Sequence, residues 1–198
     1  LTIGQLVEAS FGYYIFPILS VFLGNIFLKE KLNFKKKVSI SIIIISIVYM
    51  MFFLNTFPWI GIVVAISFSL YALLRKVALT ETDIGLFIES VFLIPLIIII
   101  FYYLNLDSSI AFSFQNLNIA LILILAGPMT VIPLFLFVKG SELSGLGPAS
   151  MIFFVAPTGQ FLLGLFLYKE QFMVNKLIGF VLIWIAVIIY LKDLYENN

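Results

Sequence analysis

Long apolar runs alternate with short polar interruptions along the whole of this chain. The runs cover about 9–28, 37–54, 58–74, 84–104, 118–138, 144–167 and 173–191. Each comes close to the roughly 20 helical residues that cross a hydrocarbon layer about 30 Å thick at about 1.5 Å per residue. The pattern predicts an all-α polytopic membrane helix bundle with seven transmembrane helices. Between the second and third runs, Asn55-Thr56-Phe57-Pro58 reads as a turn, with the proline suited to a first helical turn. Residues 105–115 contain Asp107, Ser108, Ser109 and Ser113 and read as the longest loop. Lys139-Gly140-Ser141-Glu142 reads as a turn followed by a helix restart. Ile and Val dominate many runs; they are weak helix formers in water, but in lipid every backbone N–H and C=O has to be paired within its own segment.

Composition supports the membrane reading. Of the residues, 63% are hydrophobic and 11% charged, against about 25% charged in ordinary soluble domains. Cysteine and histidine are both absent, which removes the materials for a disulfide framework, a structural zinc site or a Ser-His catalytic arrangement. No nucleotide-binding loop and no nucleic-acid-binding pattern is present, no cofactor is implied, and the chain does not read as an enzyme.

Charge placement orients the expected bundle. Counting loops alternately, one side carries Lys29, Lys31, Lys35, Lys36, Lys37, Arg75, Lys76, Lys139 and Lys192, and the other Lys169 and Lys176. Basic residues favour the cytoplasmic side. The 29–37 loop, the 75–83 loop, the 139–142 turn and the C-terminus are therefore expected in the cytoplasm.

Two stretches 140 residues apart match. Pro17, Leu23, Gly24, Lys29, Glu30 and Lys36 correspond to Pro157, Leu163, Gly164, Lys169, Glu170 and Lys176. Corresponding helices of the two copies are five expected spans apart, and an odd offset inverts the second copy with respect to the first. The reading is an inverted five-helix repeat, in which residues 1–54 supply the last two helices of the first repeat and 58–192 a complete second one. Three helices upstream are expected to complete a ten-helix architecture.

Several segments resemble a known family. Glu8-Ala9-Ser10-Phe11-Gly12-Tyr13-Tyr14 is similar to its E-A-S-L-G-Y-Y/F motif, with Phe16 where the family usually has Asn before Pro17. Glu89-Ser90 with Pro95 resembles its E-T-L…P helix, and Gly127-Pro128-Met129-Thr130-Val131-Ile132-Pro133-Leu134 its G-x-x-T-x-x-P-L segment. Ala156-Pro157-Thr158-Gly159-Gln160-Phe161 with Tyr168-Lys169-Glu170 resembles its A-P-T-x-Q-F…Y-x-E run, which Phe153 and Phe154 precede where the family often has Gln. The chain thus resembles the RarD-like proteins of the EamA family, in the drug/metabolite transporter superfamily. The resemblance implies transport of a small compound, with export the favoured direction, in a bacterial plasma membrane.

Candidate transport residues follow from polarity inside apolar runs. Glu89 lies in the fourth run, and a carboxylate there is a substrate or proton-coupling group by default, with snorkelling to the interface as its rival. Tyr13, Thr130, Thr158 and Gln160 supply further polar contacts; an interfacial belt competes for Tyr13 and a bond to a carbonyl one turn back for Thr130. Pro17 and Pro157, at corresponding positions, and Pro95, Pro128 and Pro133 are expected helix kinks. Glu30 and Glu170 read as anchors of their turns. The expected function is alternating-access movement of a small-molecule substrate through the lipid bilayer, coupled to protons. A non-transporting scaffold or regulatory protein on the same fold is the alternative. Oligomeric state is left open by uniformly apolar helices.

Overall fold

A computed structural model describes residues 12–52, 57–106, 117–166 and 174–196. For residues 105, 106, 160, 161, 163–165 and 174–176 it describes the backbone alone. All regular structure among the described residues is helical: α1 Gly12–Phe27, α2 Phe34–Met51, α3 Trp59–Val77, α4 Thr82–Leu106, α5 Leu117–Ser144, α6 Leu146–Met151, a 3-10 turn Ile152–Phe154, α7 Val155–Phe166 and α8 Val174–Glu196. Local chemistry sets several ends. Asn33 caps α2 by accepting from Lys36 N at 2.9 Å, which satisfies one of the unpaired donors of the first turn. Gly145, at φ +97°, separates α5 from α6 in a conformation that a residue with a Cβ rarely adopts.

The expectation of seven transmembrane helices is corrected. Among the described residues four helices are long and apolar enough to cross a membrane: Trp59–Val77, Thr82–Leu104, Leu117–Ser144 and Leu177–Glu196. The described part of α1 has 16 residues, which rise only about 24 Å. In α2, Lys35, Lys36 and Lys37 occupy the first turn and leave a shorter apolar remainder. The expected sixth span is divided into α6, the 3-10 turn and α7.

The expected turn at 139–142 is also corrected, because α5 runs through it to Ser144. Lys76 Nζ donates to Ser141 O at 2.5 Å and Glu142 O at 2.9 Å. A cation on these last carbonyls supports the helix end as it stands. Likewise α8 extends to Glu196, beyond the expected 191, because Asp193 and Glu196 find partners near the start of α2.

The chain divides into two compact units, residues 1–77 with 141–198, and residues 78–140. In the first unit α1 and α3 run parallel through a seam of small residues. A Cβ on Gly12 would lie 3.0 Å from Gly61 O, and Ser69 Oγ donates to Phe16 O at 3.4 Å. Gly61, Ala65, Ser69 and Ala72 form the buried face of α3, and small residues let helix backbones approach closely. Meanwhile α2 and α8 run antiparallel. Ser39 Oγ donates to Ala186 O at 2.6 Å, and a Cβ on Gly179 would lie 2.5 Å from Met50 Cγ and Sδ. Ile40, Ile43, Ile47 and Met50 of α2 share one core with Phe180, Ile183, Val187 and Tyr190 of α8, and Tyr14, Val21, Met151 and Phe154 join it.

The order of buried, half-buried and exposed positions along residues 37–50 of α2 is identical to that along residues 177–190 of α8. In the second unit, most large side chains of α4 and α5 are exposed, including Leu93, Ile94, Leu96, Ile97, Ile122 and Leu125. That outward face suits lipid.

Candidate functional site

The middle of α1 carries an aromatic cluster beside a proline. Pro17 has no N–H, so the helix loses one backbone bond there. Phe16 lies 4.7 Å from Phe153 and 5.3 Å from Phe68, centroid to centroid, both edge-on, and Phe68 lies 6.1 Å from Phe153. Tyr71 flanks Phe68 at 5.9 Å. These edge-to-face arrangements match the attraction between a ring's positive edge and its negative face. Ser150 Oγ donates to Gly147 O at 2.7 Å and reaches Pro17 O at 3.4 Å, so the carbonyls around the proline face hydroxyls from α3 and α6.

A second cluster occupies the end of the unit where α1, α3, α5 and α8 finish and α2 and α6 begin. Glu30 accepts from Leu146 N at 2.6 Å and from Gly147 N at 3.0 Å, one bond on each carboxylate oxygen. Asn33 Nδ2 donates to Asp193 Oδ2 at 2.6 Å, which gives the buried Asp193 carboxylate a partner. Lys35 pairs with Glu196 at 2.7 Å, and Lys36 Nζ stands 5.6 Å from the Tyr190 ring centroid. The hydrogen bond from Lys35 to Glu196, with the charge of that carboxylate, holds the Lys35 ammonium above the ordinary lysine range. The pair is exposed, so its contribution to stability is small.

The structure distributes the sequence-predicted residues between the two units. Tyr13 is 41% exposed on α1, whereas its neighbour Tyr14 is buried against Phe180. Thr158 is half-buried on α7; its Oγ1 donates to Phe154 O at 2.7 Å and accepts from Trp184 Nε1 at 3.0 Å. The side chain of Gln160 lies outside the described residues. Glu89 is half-buried on α4, and Thr130 on α5 donates back to Ala126 O, both in the second unit. Pro17, Pro95, Pro128 and Pro133 stand inside their helices. Pro157 is buried and stands in the first turn of α7, where a missing N–H costs little. Lys169, Glu170 and the turn around them lie outside the described residues.

Sequence reasoning singled out Phe16 and Phe153 separately, as departures from a family pattern; it did not foresee that they touch. Phe68 gave no signal at all, being one aromatic in an apolar run. Glu30 was expected to anchor its own turn, and nothing in the local pattern pointed to α6. Among the described residues no group of three or more His, Cys, Asp or Glu side chains stands together to hold a metal.

Comparison with known proteins returns transporters and proteins named RarD. The chain is 36% identical to the uncharacterized transporter YojE of Bacillus subtilis (strain 168) over 187 residues, 94% of this chain and 62% of that protein. It is 31% identical to protein RarD of Escherichia coli (strain K12) over 190 residues, 96% of this chain and 64% of that protein. It is also 25% identical to the chloramphenicol-sensitive protein RarD of Pseudomonas aeruginosa, over 94% of this chain and 62% of that protein. The chain thus spans a little under two thirds of the length of these relatives. Neither a family model nor a solved structure matches it.

Proposed function

From the premise that the chain belongs to the RarD-like group of the EamA family, we propose that it moves a small solute across a bacterial plasma membrane by alternating access. The observation that carries this reading is similarity to YojE and RarD along almost the whole chain, including its four long apolar helices. Export is the favoured direction and proton exchange at Glu89 the favoured coupling, because a carboxylate within an apolar helix is costly unless it is used. Tyr13, Thr158 and Gln160 of the first unit and Thr130 of the second are proposed, each within its own unit, as further polar residues used in transport. The two copies separated by 140 residues are proposed as repeats, 1–54 and 58–192. The matching burial order along α2 and α8, and their antiparallel packing, support that relation.

A non-transporting scaffold is the second reading. The closed contacts of Phe16, Phe68 and Phe153 favour it, since they put three rings where polar groups would receive a solute. Flux into sealed vesicles decides between the two. With the protein reconstituted and a panel of labelled amphipathic and polar solutes supplied, a transporter moves at least one in response to an imposed proton gradient. Absence of gradient-dependent flux for every solute sinks the transport reading in favour of the scaffold.

A further inference from the structure

Glu30 is tied by its backbone to the end of α1 and by its carboxylate to the start of α6. Leu28 N and Glu30 N both donate to Gly24 O at 3.1 Å, and Asn25 Nδ2 donates to Glu30 O at 2.7 Å, so the residue is folded back onto the helix it follows. Lys29 makes that return possible at φ +56°, a left-handed conformation that suits a helix end but is uncommon for lysine. The carboxylate then crosses to the first two N–H groups of α6, at 2.6 and 3.0 Å. Three glycines leave it room. A Cβ on Gly24, Gly145 or Gly147 would lie 2.8, 2.9 or 3.1 Å from a carboxylate oxygen. Tyr190 Oη closes the same space, 2.8 Å from where a Gly147 Cβ would be.

We infer that the Glu30 carboxylate is a positioning residue that latches the start of α6 onto the end of α1 and, through α6, seats the 3-10 turn and Phe153 against Phe16. The remaining polar tie described between α1 and α6 is the long 3.4 Å approach of Ser150 Oγ to Pro17 O. Hydrogen bonds to a charged acceptor are about twice as strong as neutral ones. Neutralising the carboxylate therefore loosens α6 from α1 at this end of the unit, while the α2–α8 core stays packed. In a transporter such a latch closes one end of the path. The purpose rests on the transport reading; the test below does not.

Cysteine is absent from the chain, so a single introduced thiol reports its own site. Val21 is 1% exposed, and its Cγ2 stands 3.3 Å from where a Gly147 Cβ would be, which makes Val21→Cys a reporter of the α1–α6 seam. Ile43→Cys, fully buried in the α2–α8 core, reports general unfolding. The protein is held in lipid nanodiscs and reacted with a water-soluble maleimide. Adding Glu30→Gln is expected to speed labelling at Val21→Cys by roughly tenfold or more, the size of one lost charged hydrogen bond, and to leave Ile43→Cys protected. An amide offers one acceptor oxygen where the carboxylate offers two. Should Glu30→Gln not fold, Gly147→Ala displaces the same carboxylate sterically and is judged by the same pair of thiols. Unchanged protection of Val21→Cys overturns the latch, and so does equal exposure of both thiols, which would make Glu30 a general stability residue. Flux of the protein with Glu30 intact, measured after reconstitution in sealed vesicles, separates the two proposals. Opening without flux spares the latch and sinks transport; flux without opening does the reverse.

Discussion

Thr158 and Glu89 show how differently two polar residues in apolar helices are placed. The Thr158 hydroxyl gives its one proton to Phe154 O and receives Trp184 Nε1, so it joins α7 to α8. Its hydroxyl proton is committed, which makes bracing of the α7–α8 contact its structural work. Glu89 is half-buried on α4, beyond the Asp83 of its first turn, and its sequence neighbours Phe87, Ile88, Val91 and Phe92 are exposed. Glu89→Gln is expected to lower gradient-driven flux about tenfold or more, the range for losing a general acid–base group, and to flatten its dependence on pH. Flux measured in vesicles from pH 5.5 to 8.5 checks this, and wild-type flux with a wild-type pH profile would remove Glu89 from coupling. Both residues were legible as polar interruptions. Their different settings were not, because the indole that meets Thr158 comes from α8, which belongs to another run.

At the scale of elements, helix length was read from apolar length, and this worked where the run is unbroken. The third, fourth, fifth and seventh runs each overlap a helix long and apolar enough to cross a membrane. It failed at 139–142, where charged residues suggested a turn but Lys76 holds the last carbonyls and the helix continues. It failed again after Gly145, where a left-handed residue and a 3-10 turn divide an apolar run that looks continuous. The α2–α8 contact supplies an element-scale prediction. Gly179→Ala puts a methyl into the space of the Met50 side chain. It is expected to destabilise the protein by about 1–3 kcal/mol through overpacking. Met50→Ala in the same molecule should recover much of that loss by vacating the space. Thermal unfolding in detergent of the two single variants and the double variant measures the coupling. Additive losses would mean that the two residues do not meet.

For the whole molecule, the first unit gathers the 29–37 segment, Lys76, the end of α5 and the end of α8 at one end, as their mutual bonds require. The alternate counting of loops had grouped the same segments by their lysines. By the positive-inside rule that end is expected in the cytoplasm. A fluorescent protein fused after Asn198 is therefore expected to fold and fluoresce, and a periplasm-dependent phosphatase fused there to stay inactive. The opposite pair of results would reverse the orientation.

The sequence by itself determined which stretches are apolar enough for lipid, where a left-over carboxylate sits among them, that two segments repeat at a fixed offset and which loops share a charge. Each of these is a property of neighbouring residues or of a count along the chain, and lipid enforces it segment by segment. Only the tertiary structure decided that Glu30 holds α6, that Asn33 meets Asp193 and that Phe16, Phe68 and Phe153 pack together. The partners of Glu30 and Asn33 lie 116 and 160 residues away. Uniformly apolar helices carry no periodic stripe to say which face meets which, so those pairings come from shape: a glycine cradle, a small-residue seam and a turn in the left-handed region.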